Sequence, residues 1–169
     1  AETFDASIGQ GFTLATPLQM ALVMSEAANG GKKYRPYLVK DIIAPDGTVI
    51  KHFDPVVERD LNIDPSVISL VQEGLHEVST VGTAAAMFKD FPVPIAGKTG
   101  TAENSHGREH GWFVAYGPFD NPNIAVAVIV ENAGYGATSA VPIGYNILSA
   151  AFGLDKPKTP ENQPAPAQQ

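Results

Sequence analysis

The strongest constraint on what this chain can fold into is the concentration of β-forming sequence in its second half. Residues 93–102, 112–116 and 124–131 are three stretches that carry most of it. They are strand candidates because β-branched and aromatic side chains suit a pleated, half-buried surface. Asp120-Asn121-Pro122-Asn123 lies between the second and third stretches. A connection that tight has no room for a crossover, so those two strands are expected to be antiparallel.

Helical sequence surrounds this unit. Residues 16–30 carry the clearest helix signal, with Thr16 as N-cap, Pro17 at the first helical position and Gln19 completing a capping box. Leu18, Ala21, Leu22, Val23 and Met24 give that helix a broad apolar face, and Asn29-Gly30-Gly31 ends it. Residues 37–43 and 48–53 read as a hairpin about the turn Ala44-Pro45-Asp46-Gly47. A second helix starts with Asp64 as cap and Pro65 behind it, and continues its apolar face through Val67, Ile68, Val71, Leu75 and Val78. Gly82-Thr83 introduces an Ala-rich helical turn that runs to Phe88. After a loop over 132–139, residues 142–153 read as a closing helix begun by Pro142. The expected fold class is therefore α+β, an antiparallel sheet flanked by helices. Residues 1–154 are expected to form the folded portion, and the Pro- and Gln-rich stretch 155–169 a disordered tail.

Composition excludes several function classes. The chain has 169 residues, 44% hydrophobic and 17% charged, enough for a core without covalent staples. It contains no cysteine, which rules out disulfides and thiolate metal sites. A net charge of -7 argues against a nucleic-acid partner. The longest apolar runs, 124–130 and part of 142–154, fall short of the roughly 20 residues a membrane helix requires. Ala1 is not an initiator Met and no targeting signal follows it, so the chain is expected to be a piece of a longer protein, with a processed natural start as the open alternative.

Lys98-Thr99-Gly100-Thr101 is the most informative motif. Lys-Thr-Gly occurs in serine β-lactamases and penicillin-binding proteins. On an edge strand it would do four things at once. The unpaired main chain would receive an extended peptide. Lys98 would supply a fixed positive charge for a carboxylate, and Thr99 and Thr101 would supply hydroxyl donors. Gly100 would let substrate approach the backbone. A main-chain N–H just beyond Gly100 would form half of an oxyanion hole. The bland account is a strand with a polar end. A P-loop is set aside because Pro92 stands where its first Gly belongs and no helix signal follows.

Other stretches in order make the motif specific. They are Ser7-Ile8-Gly9-Gln10-Gly11, then 13–21 (Thr-Leu-Ala-Thr-Pro-Leu-Gln-Met-Ala), then 96–102 around the motif itself. Next come 110–118 (His-Gly-Trp-Phe-Val-Ala-Tyr-Gly-Pro) and 124–132, followed by a Gly-rich loop. From residue 6 to residue 154 the chain resembles the class B penicillin-binding proteins, with Val130-Glu131-Asn132-Ala133-Gly134 closer to elongation-type than to division-type enzymes. The resemblance implies a β-lactamase/transpeptidase-like fold and a D,D-transpeptidase that cross-links peptidoglycan stem peptides through a serine acyl-enzyme. β-Lactams would act as mimics of the D-Ala-D-Ala terminus. It implies that Lys98 attracts the terminal carboxylate and helps relay a proton, that Thr99 and Thr101 hold the carboxylate, and that the Thr101 N–H polarises the attacked carbonyl. No cofactor or metal is implied. The implied location is the outer side of the cytoplasmic membrane, anchored by sequence upstream, with cell-wall synthesis proteins as partners of the parent.

One departure accompanies the match. No serine here is followed by lysine at the third position or by asparagine at the second. In the family both motifs lie upstream of the Ser-Ile-Gly-Gln-Gly segment. The resemblance therefore implies that this piece needs the missing N-terminal part of its domain and cannot be acylated alone. A β-lactam sensor or hydrolase on the same fold, and a non-catalytic peptide-binding module, stay open as alternatives.

His106-Gly107-Arg108-Glu109-His110 matches an inverted zincin pattern, but such a site needs a helix and this stretch lies between two strands, so a solvated loop is expected. Gly134-x-Gly136-x-x-Ser139 imitates a dinucleotide fingerprint without its second strand, and reads as a flexible loop. His52 and His76 read as isolated surface or half-buried histidines, and Trp112, Phe113 and Tyr116 as core and cleft rim.

Overall fold

The computed structural model describes residues 2–155. Its elements run α1 (Glu2–Ser7), α2 (Pro17–Ala28), β1 (Lys32–Tyr34), β2 (Asp41–Ile43), β3 (Val49–His52) and β4 (Val57–Asp60), then α3 (Pro65–Thr80), α4 (Ala85–Phe88), β5 (Ala96–Ala102), β6 (His110–Gly117), β7 (Ile124–Val130) and α5 (Gly136–Ala151). The three late strands form one antiparallel sheet in the order β5-β6-β7. The expected α+β arrangement is what the chain adopts. The tail expected over 155–169 falls, apart from Asp155, outside the described residues.

Both faces of that sheet are covered, which is why its strands lack a clean polar alternation. One face carries Phe113, Ala115, Val126 and Val128 against Ala140, Val141 and Leu148 of α5 and the aromatic pair Phe88 and Phe91. The opposite face carries Ala96, Val114 and Tyr116 against Met24 of α2. α3 straddles the two, sending Val78 to the first cluster and Leu75 to the second.

Local signals place α2 as expected. Thr16 accepts from the Gln19 N–H at 3.2 Å and Gln19 Oε1 accepts from the Thr16 N–H at 2.8 Å, a complete capping box. α3 is capped by Asp64, whose carboxylate accepts from the Ser66 N–H at 2.8 Å. The hairpin of β2 and β3 forms about the expected turn, although residues 37–40 stay outside it.

Four elements differ from the sequence reading. β1 pairs with β4, a ladder whose members Lys32, Lys33, Glu58, Arg59 and Asp60 are charged and so give no apolar period; Arg35, just past β1, pairs with Glu58. α1 forms at the N-terminal end, where no cap signal stands. α5 begins at Gly136 rather than Pro142, and Pro142 lies inside it. The first turn is held from below: Gly136 and Ala140 are buried against the sheet, and Tyr135 C=O accepts from both Ser139 N–H and Ser139 Oγ. Tertiary burial thus overrides the rule that proline starts a helix.

The flexible-loop reading of Gly134-x-Gly136-x-x-Ser139 is corrected by the same geometry. A Cβ on Gly136 would overlap the carbonyl oxygens of Gly100 and Trp112. This glycine lets the end of α5 rest directly on β5 and β6.

Candidate functional site

β5 is an edge strand, and its main chain sets the geometry of the site. In a strand, each residue turns its N–H and C=O to the same side and successive residues alternate. Ile95 C=O accepts from Ser79 Oγ and His76 Nδ1, both at 2.7 Å, on the side away from β6. Thr101 C=O accepts from Gln10 Nε2 at 3.1 Å on that same side. The odd-numbered residues from Ile95 to Thr101 therefore direct their peptide groups to the open edge. The N–H groups of Thr99 and Thr101 point where an extended ligand would lie.

Side chains alternate in the other dimension. Register pairs Lys98 with Val114 and Gly100 with Trp112, so Lys98 shares a face with the α2 side of the sheet. Thr99 pairs with Phe113 and Thr101 with Gly111, on the α5 side. Lys98 is exposed and its Nζ donates to Thr99 C=O at 2.7 Å. Thr99 Oγ1 meets Thr83 Oγ1 at 2.7 Å, and Thr101 Oγ1 accepts from the Gly136 N–H at 3.5 Å. A hydroxyl has one donor and two acceptor positions, so each of these contacts leaves capacity for a ligand.

All four motif residues line a cleft of about 410 Å³. Ile8, Gly9, Gln10 and Thr13 line it from the N-terminal segment, and Met20, Trp112 and Val114 are among its apolar lining. Gly100 exposes Trp112 to the cleft, since a Cβ there would stand 3.2 Å from Trp112 Cβ. Among the described residues lining the cleft, Lys98 alone is charged, in a chain whose net charge is -7. A single cation over an apolar floor, with main-chain donors beside it, suits an extended segment that ends in a carboxylate.

The other singled-out residues lie elsewhere. His106 sits on the β5–β6 loop beside Ser105 Oγ, while His110 begins β6 and its Nδ1 accepts from the Asn132 N–H at 3.0 Å. The two histidines share no helix. His52 bonds Asp41 on the β2–β3 hairpin. His76 is less isolated than its sequence setting suggested: it stacks on Phe119 at 4.3 Å while holding the start of β5. Because a carbonyl only accepts, His76 carries its proton on Nδ1. Phe113 and Tyr116 are fully buried on opposite faces, and Trp112 is the aromatic residue that reaches the cleft.

Sequence reasoning did not single out Gln10, Thr83 or Met20 as parts of the site. Gln10 stood between two glycines, the one local signal of a forced turn. Thr83 and Met20 carried none, since a hydroxyl in a turn and a methionine in a helix are ordinary.

Comparison with known proteins shows the family and the fold. The family described as penicillin binding protein transpeptidase domain matches residues 2–149. A peptidoglycan D,D-transpeptidase of Haemophilus influenzae, MrdA, is 35% identical over 167 residues, covering 87% of this chain and 25% of its own length. The crystal structure of Pseudomonas aeruginosa PBP2 in complex with WCK 5153 superposes with a TM-score of 0.77 at 37% identity, over 92% of this chain and 33% of that one. The imipenem acyl-enzyme of penicillin-binding protein A from M. tuberculosis gives a TM-score of 0.73 at 36% identity, over 88% of this chain and 33% of that one. The chain thus spans between a quarter and a third of the length of these proteins.

Proposed function

Because this chain belongs to the penicillin-binding protein transpeptidase domain family, we propose that it supplies the Lys-Thr-Gly-Thr half of a D,D-transpeptidase site that cross-links peptidoglycan stem peptides and is acylated by β-lactams. The observation that carries this reading is the charge of Lys98, alone among the described residues lining the cleft, beside the outward N–H of Thr101 on an edge strand. Lys98 attracts the terminal carboxylate of a D-Ala-D-Ala peptide, and the Thr99 and Thr101 hydroxyls hold it. The Thr101 N–H lies against the penultimate carbonyl and stabilises negative charge on its oxygen.

The nucleophile comes from sequence beyond these 169 residues, which hold no Ser-x-x-Lys. Its serine oxygen adds to the carbonyl and the peptide C–N bond breaks. The terminal D-Ala leaves as an amine after taking up a proton, and an acceptor amine then displaces the serine. The donor set is that of serine chemistry, which requires no metal or cofactor. We place the site on the outer side of the cytoplasmic membrane, in an elongation-type enzyme whose upstream sequence anchors it and whose partners belong to cell-wall synthesis.

The test is a fluorescent penicillin offered to two polypeptides, the 169-residue chain and a longer one that includes the upstream Ser-x-x-Lys. The longer polypeptide is expected to label at one drug molecule per chain and the shorter one not at all. Lys98→Ala in the longer polypeptide is expected to slow acylation on the order of a hundredfold, roughly 3 kcal/mol, without lowering the unfolding temperature. Lys98→Arg should recover part of the rate, since it keeps the charge on a bulkier planar head. Wild-type acylation in folded Lys98→Ala would overturn the reading.

A further inference from the structure

Gln10 does for the end of β5 what a neighbouring strand would do. Its Nε2 donates to Thr101 C=O at 3.1 Å, and its Oε1 accepts from the Glu103 N–H at 3.3 Å. One donor and one acceptor, offered to two outward peptide groups two residues apart, is the pattern a paired strand residue presents. The placement of Gln10 is built rather than incidental. Gly9 and Gly11 on either side both hold positive φ, at 80° and 88°, a backbone that side-chain-bearing residues rarely adopt. The Gln10 N–H also donates to Asp5 C=O at 2.9 Å, which ties the turn to α1.

The consequence concerns the N–H of Thr101. It faces the same open edge, and the unpaired end of an edge strand frays unless something holds it. Upstream, the edge is closed where Ser79 and His76 occupy Ile95 C=O. Downstream, the Gln10 carboxamide closes it. Between these two brackets lies a short open stretch of edge.

We propose that Gln10 is a positioning residue for the transpeptidase reaction, holding the Thr101 amide toward the reacting carbonyl and ending the stretch of edge on which an extended substrate can pair. The inference rests on the function proposed above. Gln10 touches no reacting atom, and it acts through the main chain of Thr101 and Glu103.

Two readouts on the catalytically complete polypeptide test it. Amide exchange reads the bridge. In Gln10→Ala the Glu103 amide is expected to lose protection by about tenfold or more, whereas Gln10→Glu retains an acceptor and keeps that protection. Acylation by a labelled penicillin reads the function. Gln10→Ala and Gln10→Glu both lose the donor to Thr101, so both are expected to acylate roughly ten- to a hundredfold more slowly. The dissociation constant of the complex that precedes acylation should change much less. A wild-type acylation rate constant in Gln10→Ala, or unchanged Glu103 exchange in that variant, overturns the proposal. Failure of the unmodified polypeptide to acylate overturns the functional reading instead, and the exchange result then decides the Gln10 bridge by itself.

Discussion

The hydroxyls of Thr83 and Thr99 lie 2.7 Å apart, and through this contact the turn that follows α3 grips the middle of the cleft strand. β5 has β6 on one side only, so its outer edge depends on such side-chain partners. Thr83→Val keeps the shape and removes the partner. The expected outcome is a stability loss of about 1 kcal/mol or less in thermal unfolding, with faster amide exchange at Thr99 than in the parent sequence.

Gly136→Ala is expected to destabilise the fold by about 3 kcal/mol. On an exposed helix the same change usually stabilises, because alanine forms helix better than glycine. Here the new methyl would meet the carbonyl oxygens of Gly100 and Trp112, both main-chain atoms of the central sheet. Denaturant unfolding of the purified variant gives the sign and the size. A midpoint equal to that of the parent would show that α5 does not rest on β5 as described.

Tyr116 is fully buried on β6, and among the described residues its hydroxyl has no hydrogen-bond partner. Burial without a partner pushes its pKa up from 10.0 to about 12. The sign follows from proton counting. Between those two values the unfolded chain has lost the proton and the folded chain has kept it, so stability falls as pH rises through that window. Tyr116→Phe removes both the desolvated hydroxyl and the titration. It is expected to match or exceed the parent in unfolding temperature at neutral pH and to resist the alkaline decline, as read by circular dichroism from pH 9 to pH 12.

Asp64 caps α3, and hydrogen bonds from the Ser66 side chain and N–H hold its carboxyl below the usual value of 3.8. A depressed folded pKa gives a contribution that is complete above the unfolded value and is lost as pH falls through the folded one. Asp64→Asn retains an acceptor for the cap without a proton to gain. Acid unfolding curves of the two proteins should therefore converge as pH drops below about 4, with the parent losing its advantage in that range.

Much of the architecture was legible in the sequence where the signal is local. A capping threonine and a glutamine three residues on sufficed for α2, and Asp64-Pro65 sufficed for α3, because caps satisfy orphan donors within one turn of chain. The β6–β7 pairing followed from the short turn between its strands. β1 and β4 escaped notice because their ladder is charged and is closed by residues 23 apart, Arg35 and Glu58. The start of α5 was misplaced because proline at 142 is a local signal, whereas the burial of Gly136 is not.

What the sequence by itself determined is which chemistry the chain can carry: the Lys-Thr-Gly-Thr run, the absence of cysteine, and the absence of a serine with lysine three residues on. These are covalent facts that folding does not change. Only the tertiary structure decided how that chemistry is presented. It made Lys98 the one charged group among the described residues lining a cleft with Trp112 beneath Gly100, gave Thr99 to Thr83 and Thr101 to Gly136, and brought Gln10 across 91 positions to the end of β5. The physical reason is the edge. A strand with one free side must satisfy its outward peptide groups from wherever the chain passes, and which residues pass there is set by packing over long separations rather than by any local pattern.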